Sequence, residues 1–174
     1  MTASEVFESV TGSGSNDFAL LVSVLNERGP WCLIGGLAVN CYVVPEYTLD
    51  ADIVITTLEA DSIKQDLANA GFSVEEFPHS ISAKMKSSDF EFQLTTDTRH
   101  QKFLIDTKLM EVLGQRVPVA SLVNIARAKI WAWSDETRRP AKRKKDELDL
   151  LRLLDGYPEL RSLMPEEIGK QIPD

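Results

Sequence analysis

Two aspartates one residue apart, Asp50 and Asp52, follow the glycine pair Gly35-Gly36 by fourteen residues. On a strand, residues i and i+2 project to one side, about 6.6 Å apart along the chain. Two such carboxylates merely repel in water, but they make a binding site once a divalent cation lies between them. Mg²⁺ takes carboxylate oxygen and commonly shares its shell with substrate phosphates. A glycine pair where a strand becomes a helix leaves backbone N–H groups open to phosphate. A phosphate cradle beside metal-binding carboxylates is what phosphoryl or nucleotidyl transfer needs. Taken singly, an Asp-x-Asp is often a solvated strand face and a Gly-Gly a plain turn; their order, with a helix between, favours the chemical reading.

The elements that must position these residues follow from periodicity. Trp31-Cys32-Leu33-Ile34 is a short apolar run, expected as a buried strand ending at the glycines. Leu37–Val44 is expected as a short helix stopped by Pro45. Residues 48–56 alternate, with Leu49, Ala51, Ile53 and Ile55 on one face and Thr48, Asp50, Asp52 and Val54 on the other, so the acids ride on a strand. Around this centre the pattern predicts helices over 3–10, from Phe18 to a stop at Gly29-Pro30, over 59–70, 121–133 and 145–154, and a weaker helical tail from Pro158. It predicts strands over 72–77, 81–86 and 90–95 and a hairpin over 112–119. Thr11-Gly12-Ser13-Gly14-Ser15-Asn16 reads as a flexible break. Helices, mixed strands and then helices imply an α/β (α+β) fold with a mixed sheet under helical cover.

Composition sets outer bounds. The chain has 174 residues, 43% hydrophobic and 26% charged, which suits one domain with a real core. No run is long and apolar enough to span a membrane, and no secretory signal opens the sequence, so a cytoplasmic protein is expected. A net charge of −8 argues against a protein built mainly to coat nucleic acid. The charge is uneven, however: Arg138, Arg139, Lys142, Arg143, Lys144 and Lys145 crowd into eight positions. That run is either a solvated face or an electrostatic guide for RNA or triphosphate. Cys32 and Cys41 are expected to be buried free thiols, and His79 and His100 to be surface residues without zinc-ligand spacing.

Ile34-Gly35-Gly36-Leu37-Ala38-Val39, followed by Thr48-Leu49-Asp50-Ala51-Asp52-Ile53-Val54, resembles the opening motifs of the nucleotidyltransferase superfamily. The likeness is strongest to its AbiEii-type branch, which includes toxin components of bacterial toxin–antitoxin and phage-defence systems. Val117-Pro118-Val119-Ala120-Ser121-Leu122-Val123 leads into a segment bearing Lys129; Arg138/Arg139 and Lys145-Asp146-Glu147-Leu148-Asp149-Leu150 follow, and these are similar to the later motifs of that branch. The resemblance spans about residues 18–155. It implies a small mixed sheet flanked by helices over about 18–119, with C-terminal helices appended over 120–174 in the same domain. It implies transfer of a nucleoside monophosphate from a nucleoside triphosphate, with Mg²⁺ or Mn²⁺, to an acceptor that is RNA, protein or a small molecule, and an antitoxin-type protein partner. On the same basis Gly35 and Gly36 would hold the triphosphate, Asp50 and Asp52 the metal, Lys129 would meet the triphosphate, and Asp146 would complete the site.

Two positions depart from the family pattern. Glu46 stands where an arginine is common, and Gln93 stands where a third carboxylate is usual. Glutamine is no base and a poor Mg²⁺ ligand, but Glu91 lies two residues earlier on the same strand face and is the expected substitute, both as metal ligand and in catalysis. The alternative reading is a fold that has lost its chemistry and serves as a nucleotide-binding or protein-interaction module. Trp131 and Trp133 are expected in the core in preference to stacking on a base.

Overall fold

The computed structural model describes residues 13–173. The expected helix over 3–10 and the first part of the break at 11–16 lie outside the described residues. Helix α1 (Gly14–Asn26) begins within that break, and strand β1 (Trp31–Ile34) runs directly into the short helix α2 (Gly35–Val39). Strand β2 (Asp50–Ile55), a short 3₁₀ turn and helix α3 (Ala60–Asn69) follow. Strands β3 (Ser73–Phe77), β4 (Ser80–Lys84) and β5 (Glu91–Thr95) come next. A 3₁₀ segment (Thr98–Ile105) leads into β6 (Thr107–Val112) and β7 (Gln115–Ala120). Helices α4 (Leu122–Ser134) and α5 (Pro140–Gly156), a 3₁₀ turn (Pro158–Leu163) and α6 (Glu166–Gly169) complete the chain.

The seven strands form one mixed sheet in the order β3-β4-β5-β2-β1-β7-β6, flanked by helices as expected. β2 runs parallel to β5 and β1 parallel to β7, and the other neighbours are antiparallel. The period-two pattern divides the faces of the central strands. Ala51, Ile53, Phe92, Leu94, Ile81 and Ala83 stand in mutual register and are buried. Phe18 of α1 packs on Phe90 and Phe92, and Phe72 meets Phe92 edge to face. The opposite face at the same register carries Asp50, Asp52, Glu91 and Gln93.

Several boundaries differ from expectation, among them the start of α1 at Gly14 instead of Phe18, and three have a clear local reason. α2 starts at Gly35 and stops at Val39, short of Pro45, and Asn40 exchanges hydrogen bonds with the Glu46 backbone to turn the chain. The hairpin pivots on Leu113-Gly114, both at positive φ (48° and 78°), so β6 begins upstream in a stretch without clear alternation. α5 begins at Pro140, five residues before the expected start, because proline at the first helical position costs no hydrogen bond; the basic run is therefore helical.

Between α4 and α5 the packing is ionic as well as apolar. Lys129, only 7% exposed, pairs with Asp146 at 2.9 Å and Asp149 at 2.8 Å. Arg138 closes on Asp146 at 2.6 Å and Arg152 on Asp149 at 2.7 Å. Arg152 also reaches Glu46 at 3.5 Å, so the sequence's departure at that position is part of this ladder. Burial pushes the Lys129 ammonium down, but Asp149 and Asp146 more than reverse it and hold it above the ordinary lysine value. Removing one member of a buried pair leaves its partner's charge uncompensated. Lys129→Met should therefore lower unfolding free energy by about 3 kcal/mol or more. Lys144→Met, on an exposed pair with Glu147, should cost under about 1 kcal/mol. Urea unfolding followed by circular dichroism measures both, and equal losses would show that burial of the ladder is unimportant.

Candidate active site

The acids are placed by strand pairing. Asp50 stands opposite Glu91 and Asp52 opposite Gln93 on parallel β2 and β5, so all four side chains rise from one face. Glu91 is therefore not turned away from the aspartates. Its Oε1 accepts hydrogen bonds from Ser82 Oγ at 2.8 Å and Gln93 Nε2 at 2.7 Å. Gln93 thus steadies Glu91.

The glycine pair splits into two roles. Gly35 adopts φ +72°, and a Cβ there would fall 2.8 Å from the Cβ of Asp52 and closer still to its Oδ2. Glycine at 35 is a condition for Asp52 to occupy its position. Gly36 is less constrained: a Cβ would meet Thr48 Oγ1 at 3.4 Å, an ordinary contact.

Facing the acids across a cavity of about 490 Å³ are the first turns of α5. Arg138, Arg139, Lys142 and Lys145 line it together with Gly36, Thr48 and the acids. Lys142 Nζ lies 2.7 Å from Asp50 Oδ2, and Lys145 donates to Thr48 Oγ1 at 3.4 Å. The basic run is thus divided by helical phase. Lys142 and Lys145 turn inward, Lys144 stays outside with Glu147, and Arg143 donates to the Trp133 carbonyl at 2.9 Å. Lys129 and Asp146 border the cavity, but their charges are committed to the ladder. The sequence named Lys142 and Lys145 only as members of the basic run and did not separate them as its inward side; Pro140 as a helix start, with the spacing 142, 145/146, 149, was the available signal.

A second compartment of about 460 Å³, lined by Arg99, His100, Trp131 and Asp135, adjoins the first through Arg138. His100 is not a surface residue. It is half-buried, edge-on to Phe103 and Trp131, and burial pushes its imidazole pKa down. Trp131 stacks on Phe103 and has the Arg99 guanidinium 5.3 Å over its ring, so its place is structural. Cys32 is buried and Cys41 half-buried; both are free, and burial raises their thiols to about 12 and about 11.

The donor set suits a hard cation. The half-buried Asp52 carboxylate has no hydrogen-bond or ion-pair partner among the described residues, faces the cavity, and has room beside it only because residue 35 is glycine. Burial above all raises its pKa, with the Asp50 charge adding to this and Lys129, Arg138 and Lys142 opposing it. Asp50 and Asp52 have the oxygen chemistry that Mg²⁺ or Mn²⁺ prefers, and would supply part of such an ion's shell. Among the described residues no three His, Cys, Asp or Glu side chains gather into a ready metal cage.

Two outcomes follow. Gly35→Ala should displace Asp52 and abolish metal-dependent ligand binding, whereas Gly36→Ala should fold normally and weaken only phosphate binding; calorimetry with a triphosphate analogue separates them. Second, an acid whose folded pKa is raised destabilises the fold above that pKa, and the penalty fades as pH falls toward the unfolded value. Asp52→Asn should therefore raise the metal-free melting temperature by roughly 2–4 °C at pH 7. The gain should shrink on acidification, and a gain independent of pH would refute the assignment.

No protein-family model matches the sequence, and no curated protein matches it. Solved structures do match in shape. The antibiotic-resistance factor ANT(2'')-Ia superposes with a TM-score of 0.61 at 14% identity, over 87% of this chain and 93% of that one. The lincosamide antibiotic adenylyltransferase LnuA, lincomycin-bound, gives 0.55 at 12% identity over 79% of this chain and 96% of that one. An antigenic nucleotidyltransferase-like protein from Paracoccidioides brasiliensis gives 0.58 at 17% identity over 92% and 86%. At such identities the likeness concerns shape: the chain has a nucleotidyltransferase-like fold.

Proposed function

We propose that the protein is a metal-dependent nucleotidyltransferase, moving a nucleoside monophosphate from a nucleoside triphosphate to an acceptor and releasing pyrophosphate. The observation that carries this is the opposition of Asp50 and Asp52 to the cationic face of α5 across one cavity. Acids alone suit a cation and bases alone an anion; both together suit a metal-bound polyphosphate.

The bound Mg²⁺ or Mn²⁺, held by Asp50 and Asp52, would offset negative charge on the phosphates. Arg139, Lys142 and Lys145 attract the phosphate oxygens, and Gly36 leaves the backbone at the start of α2 uncovered. Glu91 is steadied through Oε1, while Oε2 has no hydrogen bond among the described residues and is the atom we assign to take the acceptor's proton. Lys129 and Asp146 act by position, holding α5 against α4 so that its inner face stays over β2. The acceptor is assigned to the compartment beside Arg138 and His100. One neighbour was solved in complex with adenylyl-2''-tobramycin and another is lincomycin-bound, which supports a small-molecule acceptor here. The AbiEii-type resemblance supports RNA or protein instead, with an antitoxin-type protein partner, and rests on the Lys129 and Asp146-x-x-Asp149 motifs. No helix among the described residues is long and apolar enough to cross a membrane; a cytoplasmic location, where nucleoside triphosphates are supplied, belongs to the same proposal.

Gln93 keeps a second reading in view, a module that binds nucleotide without transfer, because an amide occupies the register position opposite Asp52. One assay decides between them. The protein is incubated with Mg²⁺, α-³²P-labelled triphosphates and, separately, total RNA, protein and small-molecule acceptors. Asp50→Asn with Asp52→Asn should reduce label transfer roughly 100-fold or more without altering the circular dichroism spectrum. Wild-type protein that binds triphosphate with Mg²⁺ yet labels nothing and releases no pyrophosphate establishes the module.

A further inference from the structure

Asp50 and Asp52 differ in one respect: Asp50 already holds a cation. Lys142 Nζ lies 2.7 Å from Asp50 Oδ2, although 92 positions separate the two in sequence. The pair is not sealed, since the side chains are 38% and 30% exposed, in contrast to the buried Lys129 pairs. Exposed pairs of this kind contribute little to stability and exchange readily. Lys142 also sits inside the cavity, on the same inward side of α5 as Lys145, while the acid on the helix's outer side, Glu147, is occupied by Lys144. An ammonium and a divalent cation on one carboxylate oxygen repel each other, so a metal can use Asp50 fully only when Lys142 leaves it. The lysine then needs another anion. Within the cavity the remaining acids are Asp52, Glu91 and Asp146, the last already paired with Lys129 and Arg138. A polyphosphate entering between α5 and β2 would supply that anion.

We propose that Lys142 is a tethered counter-ion. It occupies Asp50 in the resting protein, opposes binding of metal alone, and passes to a phosphate oxygen when a nucleoside triphosphate enters, so that metal and nucleotide are taken up together. The inference rests on the nucleotidyl-transfer reading of the site and adds to it a residue that couples the two ligands. Coupling of this kind is reciprocal: triphosphate strengthens metal binding by the same factor as metal strengthens triphosphate binding.

The test measures Mn²⁺ binding by electron paramagnetic resonance, with and without a non-hydrolysable ATP analogue, in the full-length chain. Lys142→Gln should bind Mn²⁺ alone about fivefold tighter than wild type, the analogue about fivefold more weakly, and show a smaller coupling factor. Lys144→Gln removes the same charge from the outer side of α5 and should change neither. Asp50→Asn reports whether the metal is at this site at all. If Asp50→Asn weakens Mn²⁺ binding but Lys142→Gln does not tighten it, the counter-ion role is overturned and the nucleotidyl-transfer reading stands. If Lys144→Gln matches Lys142→Gln, the effect is a general field and the role is likewise overturned. If Mn²⁺ binding is insensitive to Asp50→Asn, with or without the analogue, the metal reading of the site fails and the inference falls with it.

Discussion

The ladder from Glu46 through Arg152, Asp149, Lys129 and Asp146 to Arg138, buried at its centre and open at both ends, is the constraint on which the site depends. Its signs alternate along the whole run, so each buried charge has an opposite neighbour on either side. Such a ladder is a poor source of net stability, because desolvation consumes most of the Coulombic gain. Its value is geometric. A shift of α5 along α4 would leave Lys129 or an aspartate unpaired in the interior, and that penalty fixes the register of the two helices. The position of every inward side chain on α5 follows, as does the anchoring of the loop that carries Thr48 to the edge of β2.

A second division of labour lies in the sheet. One face of β2 and β5 is apolar and packs against α1, while the other presents four polar side chains in register. Rigid apolar packing behind the acids keeps them from relaxing apart. Gly35 continues the same theme: by having no side chain it lets the strand-to-helix turn pass against Asp52. The charge that would otherwise destabilise this face is offset from α5, so an acidic protein concentrates its cations where its own carboxylates meet.

Much of this was legible in the residues. The strand identity of 48–56, the helices around it and the mixed sheet follow from period-two alternation and turn chemistry, which act locally; the nucleotidyltransferase reading of Gly35-Gly36 and Asp50-x-Asp52 comes separately, from a resemblance of motifs. Less legible were the segment 98–112, where a 3₁₀ turn and an edge strand carry no clear period, and the start of α5, where the density of charge obscured the Pro140 signal.

Sequence by itself determined which residue types are available and which strand face each occupies, because backbone geometry imposes those periods on any chain. Only the tertiary structure decided how they are matched. Parallel pairing of β2 with β5 set Glu91 beside Asp50 and Gln93 beside Asp52. Docking of α5 drew Lys129 into the interior, sent Lys142 to Asp50, and left Asp52 without a partner among the described residues. These outcomes depend on contacts between residues far apart in the chain, and charge pairing in a low-dielectric interior is decided by distances that no local pattern encodes.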